Sequence, residues 1–251
     1  MVPNSTLAPR DFMNLDISGK VALIAGGTGG LGKPITLSFL NAGAKVAVTY
    51  IRDDEIAALR NEAGDRAALL STHAVNVTDD GSVRSAAETL VAKHGRIDIL
   101  VNTVGGYAGG LKLWETDPQV LSQMLDLNLR SGYVLARNVV PVMLKQKSGA
   151  IVNIAARAAF DHAAGASAYA ASKAAAVAMM DCLAEDLKGT GVRVNSVLPS
   201  IIDTPANRRA MPGADFGKWP KPEEIARVIL FLCSDAARLI HGASVPVYGN
   251  D

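Results

Sequence analysis

Residues 21–32 read Val21-Ala22-Leu23-Ile24-Ala25-Gly26-Gly27-Thr28-Gly29-Gly30-Leu31-Gly32. The apolar run that opens the stretch predicts a strand at 21–25. Glycines then let the chain turn sharply, and a helix follows to about Ala42, where Gly43 stops it. Backbone N–H groups at such a turn can approach a pyrophosphate, and the helix N-terminus behind them favours an anion. A glycine-rich turn alone is weak evidence. Here a second apolar run at 45–50 stands behind the helix, so the turn lies inside a strand–helix–strand unit, the context its phosphate reading requires.

The same alternation continues along the chain. Strands are expected at 67–76, 97–102, 151–154, 192–198 and 245–248. Helices are expected at 80–94, around Asn128, from Ser167 to about Lys188, and at 222–233. Strands alternating with helices imply an α/β fold whose parallel sheet is covered on both faces. Right-handed crossovers make it a doubly wound Rossmann arrangement, here with about seven strands. A chain of 251 residues suits one such domain, at 19–251, while 1–18, with Pro3 and Pro9 among polar residues, reads as a loose N-terminal arm.

Composition narrows the partners. A net charge of +1 gives no long-range attraction for nucleic acid or an anionic membrane. No apolar run is long enough to span a bilayer, and residues 1–19 lack the basic-then-apolar pattern of a secretory signal, so a cytoplasmic protein is expected. Cys182 and Cys233 fall in helices without metal-ligand spacing, which predicts core residues in a reducing compartment and no metal.

A second informative stretch is Ile151-Val152-Asn153-Ile154-Ala155-Ala156-Arg157-Ala158-Ala159-Phe160, a small-residue loop, then Tyr169-Ala170-Ala171-Ser172-Lys173. Tyr169 and Lys173 are four apart in an Ala-rich helix, so their side chains share one face. An ammonium near a phenol favours phenolate and lowers a pKa that is ordinarily about 10. Tyr169 is thereby a candidate acid or base.

With the glycine turn, this stretch resembles the short-chain dehydrogenase/reductase family over essentially 21–249. The resemblance implies a nicotinamide cofactor on Gly26, Gly30 and Gly32, with Thr28 and Leu31 in the same turn. It sets Asn76 and Val77 by the adenine, and Asn102 and Gly105 keep two positions of the family's Asn-Asn-Ala-Gly. Pro199, Ile202 and Thr204 match its Pro-Gly-x-x-x-Thr, with Thr204 at the carboxamide. Tyr169, Lys173 and Asn128 match its proton-transfer group, Lys173 orienting the ribose and Asn128 holding a relay water. One departure matters most: the family's serine, thirteen residues before the tyrosine, is Ala156 here, preceded by Ala155.

Cofactor choice turns on the end of the second strand. An acidic residue there would pair with the ribose 2′-hydroxyl and repel a 2′-phosphate. This chain has Tyr50, then Ile51 and Arg52, whose guanidinium could fork onto a phosphate, with Asp53 and Asp54 just beyond. The pattern favours NADP(H) over NAD(H).

The glycine loop at 105–110 and the variable substrate loop at about 200–221 resemble the quinonoid dihydropteridine reductase group of the family, which also has alanine for the serine. A small-molecule substrate with a flat conjugated ring would suit Tyr107, Trp114 or Trp219 as a wall, beside Ala156. The reading is hydride transfer from NADP(H) to a quinonoid dihydropterin-like or other conjugated substrate, with Tyr169 as proton donor. One alternative is a carbonyl reductase in which Ser167, Thr103 or a water replaces the lost hydroxyl. Another is a non-catalytic NADP-binding protein. The apolar face of the 167–188 helix, with Val177, Met180 and Leu183, predicts a homodimer or homotetramer, as the resemblance also implies.

Overall fold

Strand β1 (Val21–Ala25) is buried at every residue, as a strand paired on both edges and covered on both faces must be. It is the centre of the computed structural model, which describes residues 15–250. On one side of β1 lie β2 (Lys45–Tyr50) and β3 (Leu70–Ala74). On the other lie β4 (Ile99–Asn102), β5 (Gly149–Ile154), β6 (Val192–Pro199) and β7 (Ala243–Val247). The order is β3-β2-β1-β4-β5-β6-β7 and every pairing is parallel. The chain leaves β1 in one direction and returns to start β4 on its other edge. That reversal opens a crevice at the carboxyl ends of β1 and β4, where ligands of open α/β sheets bind.

The helices are α1 (Gly32–Asn41), α2 (Asp54–Ala63), α3 (Asp80–His94), α4 (Pro118–Leu125), α5 (Ser131–Gln146), α6 (Ser167–Asp186), α7 (Pro205–Ala210) and α8 (Pro222–Cys233). On one face Ile35 and Phe39 of α1 and Ile225 and Ile229 of α8 pack against Ile24, Val101 and Val152. On the other, Leu90 of α3, Val134 and Met143 of α5 and Met180 of α6 pack against Leu23, Leu100 and Ile151. Each such side chain, fully buried, stabilises the fold by about 1.5–3 kcal/mol.

The doubly wound sheet of seven strands is as expected, and several details differ, among them β4 starting at Ile99 rather than 97 and β5 at Gly149 rather than 151. Residues 64–69 form a short tight helix, so β3 begins at Leu70 rather than 67 and ends at Ala74. The last strand runs Ala243–Val247, earlier than expected. Residues 1–14 of the expected arm lie outside the described residues, and Ile17, 1% exposed, belongs to the core, so packing begins before residue 19. Val177 and Met180 face the sheet and are buried, leaving Leu183 half-buried and Ala171, Ala178 and Cys182 exposed on α6. Among the described residues no helix is long and apolar enough to cross a membrane.

Candidate active site

The glycine turn solves three separate steric problems. Gly26 follows β1 with φ +71°, a conformation other residues rarely adopt, and its N–H donates to Thr49 Oγ1 at 3.1 Å. A Cβ on Gly32 would lie 2.0 Å from the Gly26 carbonyl oxygen, so only glycine lets α1 start this close to the strand. A Cβ on Gly30 would meet Thr204 Cγ2 at 3.3 Å, which brings the segment after β6 against the turn. Leu31 is buried immediately before α1. Cradle and helix N-terminus together fit a dinucleotide pyrophosphate.

Tyr50 closes β2 half-buried, with no carboxylate at that position. Arg52 is exposed and not free for a phosphate: it forks onto Asp54 at 3.2 and 2.7 Å, holding that carboxyl below its usual range. Glu55 accepts a hydrogen bond from Thr28 Oγ1 of the glycine turn at 2.5 Å. Asn76 is exposed and its Oδ1 closes its own turn onto Thr78, whereas the Val77 side chain is buried in the core. Thr204 is buried and its hydroxyl caps α7, accepting from the Asn207 N–H at 3.2 Å. Pro199 is buried at the end of β6, and the Ile202 carbonyl accepts from Thr204 N–H and Asn207 Nδ2.

Beyond β4 the chain is held by two asparagines. Asn102 donates to Asn153 Oδ1 at 2.9 Å and accepts from Val104 N–H at 3.2 Å, tying β4 to β5. The Thr103 hydroxyl is spent on the Ala25 carbonyl at 2.7 Å, so it faces the glycine turn rather than the Ala156 side of the cleft. Asn128 sits in a π turn, Asp126–Arg130, joining α4 to α5. Its side chain brackets Gly106, accepting from its N–H at 2.9 Å and donating to its carbonyl at 3.0 Å. Nδ2 also donates to Ser172 Oγ, whose hydroxyl donates to the Tyr169 carbonyl on α6. Gly105 lies between Asn128 and Lys173: a Cβ there would be 2.8 Å from Asn128 Oδ1 and 3.1 Å from Lys173 Nζ.

Lys173 is 5% exposed and donates to the Ile154 carbonyl at 2.9 Å. Burial brings its pKa down to about 8. The expectation that Lys173 lowers the Tyr169 pKa is reversed, because burial, with Tyr107 adding to it, pushes the phenol up to about 12. Tyr107 is exposed and stands edge-on to Tyr169, ring centroids 4.9 Å apart. Its hydroxyl occupies space that a side chain on Gly109 would need, and Gly110 N–H donates to the Gly165 carbonyl, latching the loop to the start of α6. Ala155 and Ala156 are buried, and Ala155 packs with Ala159, Val177 and Leu198 into an apolar wall.

The three aromatic candidates do not form one wall. Trp219 is buried against Phe216 as an anchor of the 200–221 loop, and Trp114 is 76% exposed under the Lys112 ammonium. Only Tyr107 is brought to Tyr169. Glu55, Ser172 and Gly106 were missed by sequence reasoning, since a short polar residue or a glycine carries no mark of its partner. A cavity of about 300 Å³ bounded by Asp98, Arg193 and His241 lies at the opposite, amino ends of the strands, away from this chemistry.

Residues 20–214 match a family model described as short chain dehydrogenase. The 3-oxoacyl-(acyl-carrier-protein) reductase FabG of Thermotoga maritima is 35% identical over 241 residues, covering 93% of this chain and 98% of that protein. D-threitol dehydrogenase of Mycolicibacterium smegmatis is 34% identical over 242 residues, 93% of each. A solved structure of ElxO with NADP bound superposes with a TM-score of 0.87 at 25% identity, over 92% of this chain and 98% of that one.

Proposed function

This chain belongs to the short-chain dehydrogenase family, an oxidoreductase family, and from that premise we propose that it is an NADP(H)-dependent reductase of a conjugated, quinonoid dihydropterin-like substrate. The bound nicotinamide would supply the hydride. Gly26, Thr28, Gly30, Leu31 and Gly32 would hold its pyrophosphate, Tyr50 and Arg52 its adenosine, and Lys173 and Thr204 its other end. Arg52 would have to exchange Asp54 for the 2′-phosphate.

One observation carries the substrate reading: Ala155 and Ala156, where the family has its serine, are buried apolar residues and offer no hydroxyl to polarise a carbonyl. Reducing a simple ketone concentrates charge on one oxygen, and losing one preorganised donor there costs about 3–4 kcal/mol. A conjugated ring spreads the charge and needs chiefly a proton. With its pKa at about 12 the phenol is protonated at neutral pH, which suits donation in the reductive direction. Lys173 beside Gly105, and Asn128 behind it, support reprotonation of Tyr169. Tyr107 would rest against the substrate ring.

A second reading, a keto reductase, is favoured by the 35% identity to FabG over nearly its whole length. Turnover separates the two. With NADPH the protein is expected to reduce a quinonoid dihydropterin and to act poorly on a simple ketone. Tyr169→Phe should cut the rate by about 10²–10⁴. Ala156→Ser should raise only the ketone rate, by up to about a hundredfold to a thousandfold. Fast ketone turnover by the unaltered protein would decide for the keto reductase. We also propose that residues 15–250 act as one catalytic domain, its core beginning with Leu15 and Ile17, that works as a homo-oligomer.

A further inference from the structure

An adenosine ribose bound to this cleft must cross from the glycine turn to the end of β2, because the pyrophosphate belongs at the first and the ribose at the second. One carboxylate already spans that gap. Glu55, in the first turn of α2, takes the Thr28 hydroxyl on Oε2 at 2.5 Å, while its Oε1 lies 3.6 Å from Arg52 Nε. The Glu55 side chain is only 32% exposed, so it is held rather than freely solvated. Arg52, the cation expected to meet a 2′-phosphate, is bidentate on Asp54. Asp54 and Glu55 thus set two carboxylates against one guanidinium.

We infer that Glu55 is a specificity-determining residue for the dinucleotide: pinned to the glycine turn by Thr28, its carboxylate opposes a 2′-phosphate and caps the preference for NADP(H) that Tyr50 and Arg52 create. A 2′-hydroxyl can donate a hydrogen bond to this carboxylate. A 2′-phosphate, with a charge of about −1.5 to −2, can only repel it. The acid thereby enters from the helix after β2 rather than from the strand's last residue. The inference rests on the proposed dinucleotide site.

Direct binding of NADPH and NADH, followed by nucleotide fluorescence without substrate, tests it. Glu55→Gln keeps the size and an acceptor for Thr28 while removing the charge. The NADPH Kd should fall about tenfold, as one charge facing a nearly doubly charged phosphate through water implies, with the NADH Kd unchanged or slightly raised. Glu55→Lys should extend the change in the same direction. The difference should shrink at about 1 M salt, where the screening length is about 3 Å. A general loosening of α2 would move both constants together, so an unchanged ratio in both variants overturns the role of Glu55 and leaves the dinucleotide site standing. Failure of the unaltered protein to bind either nucleotide overturns the site and the inference together.

Discussion

Lys173 keeps an ammonium-bearing side chain 5% exposed, and burial brings its pKa from 10.5 to about 8. Because the folded value lies below the unfolded one, the unfolded chain binds the proton more tightly. The cost to stability is therefore full below pH 8 and is relieved as pH rises from about 8 towards 10.5. A gap of this size corresponds to about 3 kcal/mol. The hydrogen bond to the Ile154 carbonyl offsets roughly 1 kcal/mol of it. Lys173→Met should then raise unfolding stability by about 2 kcal/mol at pH 7, in urea titrations, while abolishing turnover. The gain should vanish near pH 10. The spacing of Tyr169 and Lys173 was legible from five residues of sequence, but the direction of the tyrosine's shift was not. It depends on how deeply both groups are buried and on the Ile154 carbonyl taking the ammonium, neither of which is a local property of the helix.

At the scale of elements, the site is a loop, residues 105–110, clamped between the π turn before α5 and the start of α6. Asn128 grips Gly106 by both backbone groups, and Gly165 takes the N–H of Gly110. Gly105 is where this clamp has no slack, since a Cβ there would sit within 3.1 Å of both Asn128 Oδ1 and Lys173 Nζ. Gly105→Ala should cost about 1–3 kcal/mol through overpacking, read as a lowered urea midpoint. Turnover should fall by about a hundredfold, because a displacement of about 1 Å at the reacting groups has that effect. Retained activity would show the loop yielding freely. Alternating apolar runs and glycine stops made the strands and helices readable in the chain. The π turn was not readable: one extra residue per turn leaves no trace in composition. Nor could Trp114 and Trp219 be told apart, since both lie in loops and tertiary packing, with Phe216 among its neighbours, buries only the second.

For the whole molecule, the face of the sheet that carries α5 and α6 leaves its outer surface uncovered. Tyr133 and Leu144 of α5 are 54% and 41% exposed, and Ala171, Ala178 and Cys182 of α6 are exposed beside polar neighbours. Helix α6 has 20 residues, a length of about 30 Å. Two helices, each about 10 Å wide, present a patch of roughly 600 Å². A stable interface takes about 800 Å² per partner, so α4, with Leu121 at 44% exposure, would have to extend the patch. A two-fold axis would set the same small residues of α6 against their copies, allowing close helix approach. Light scattering at micromolar concentration should therefore report at least a dimer. Tyr133→Glu, which brings two like charges to a self-complementary surface, should shift it to monomer while leaving the Tyr169 site intact. If dimerisation also supports folding, the melting temperature of the unaltered protein will rise with its concentration and that of Tyr133→Glu will not. A monomer in the unaltered protein, with a melting temperature independent of concentration, would rule out this assembly.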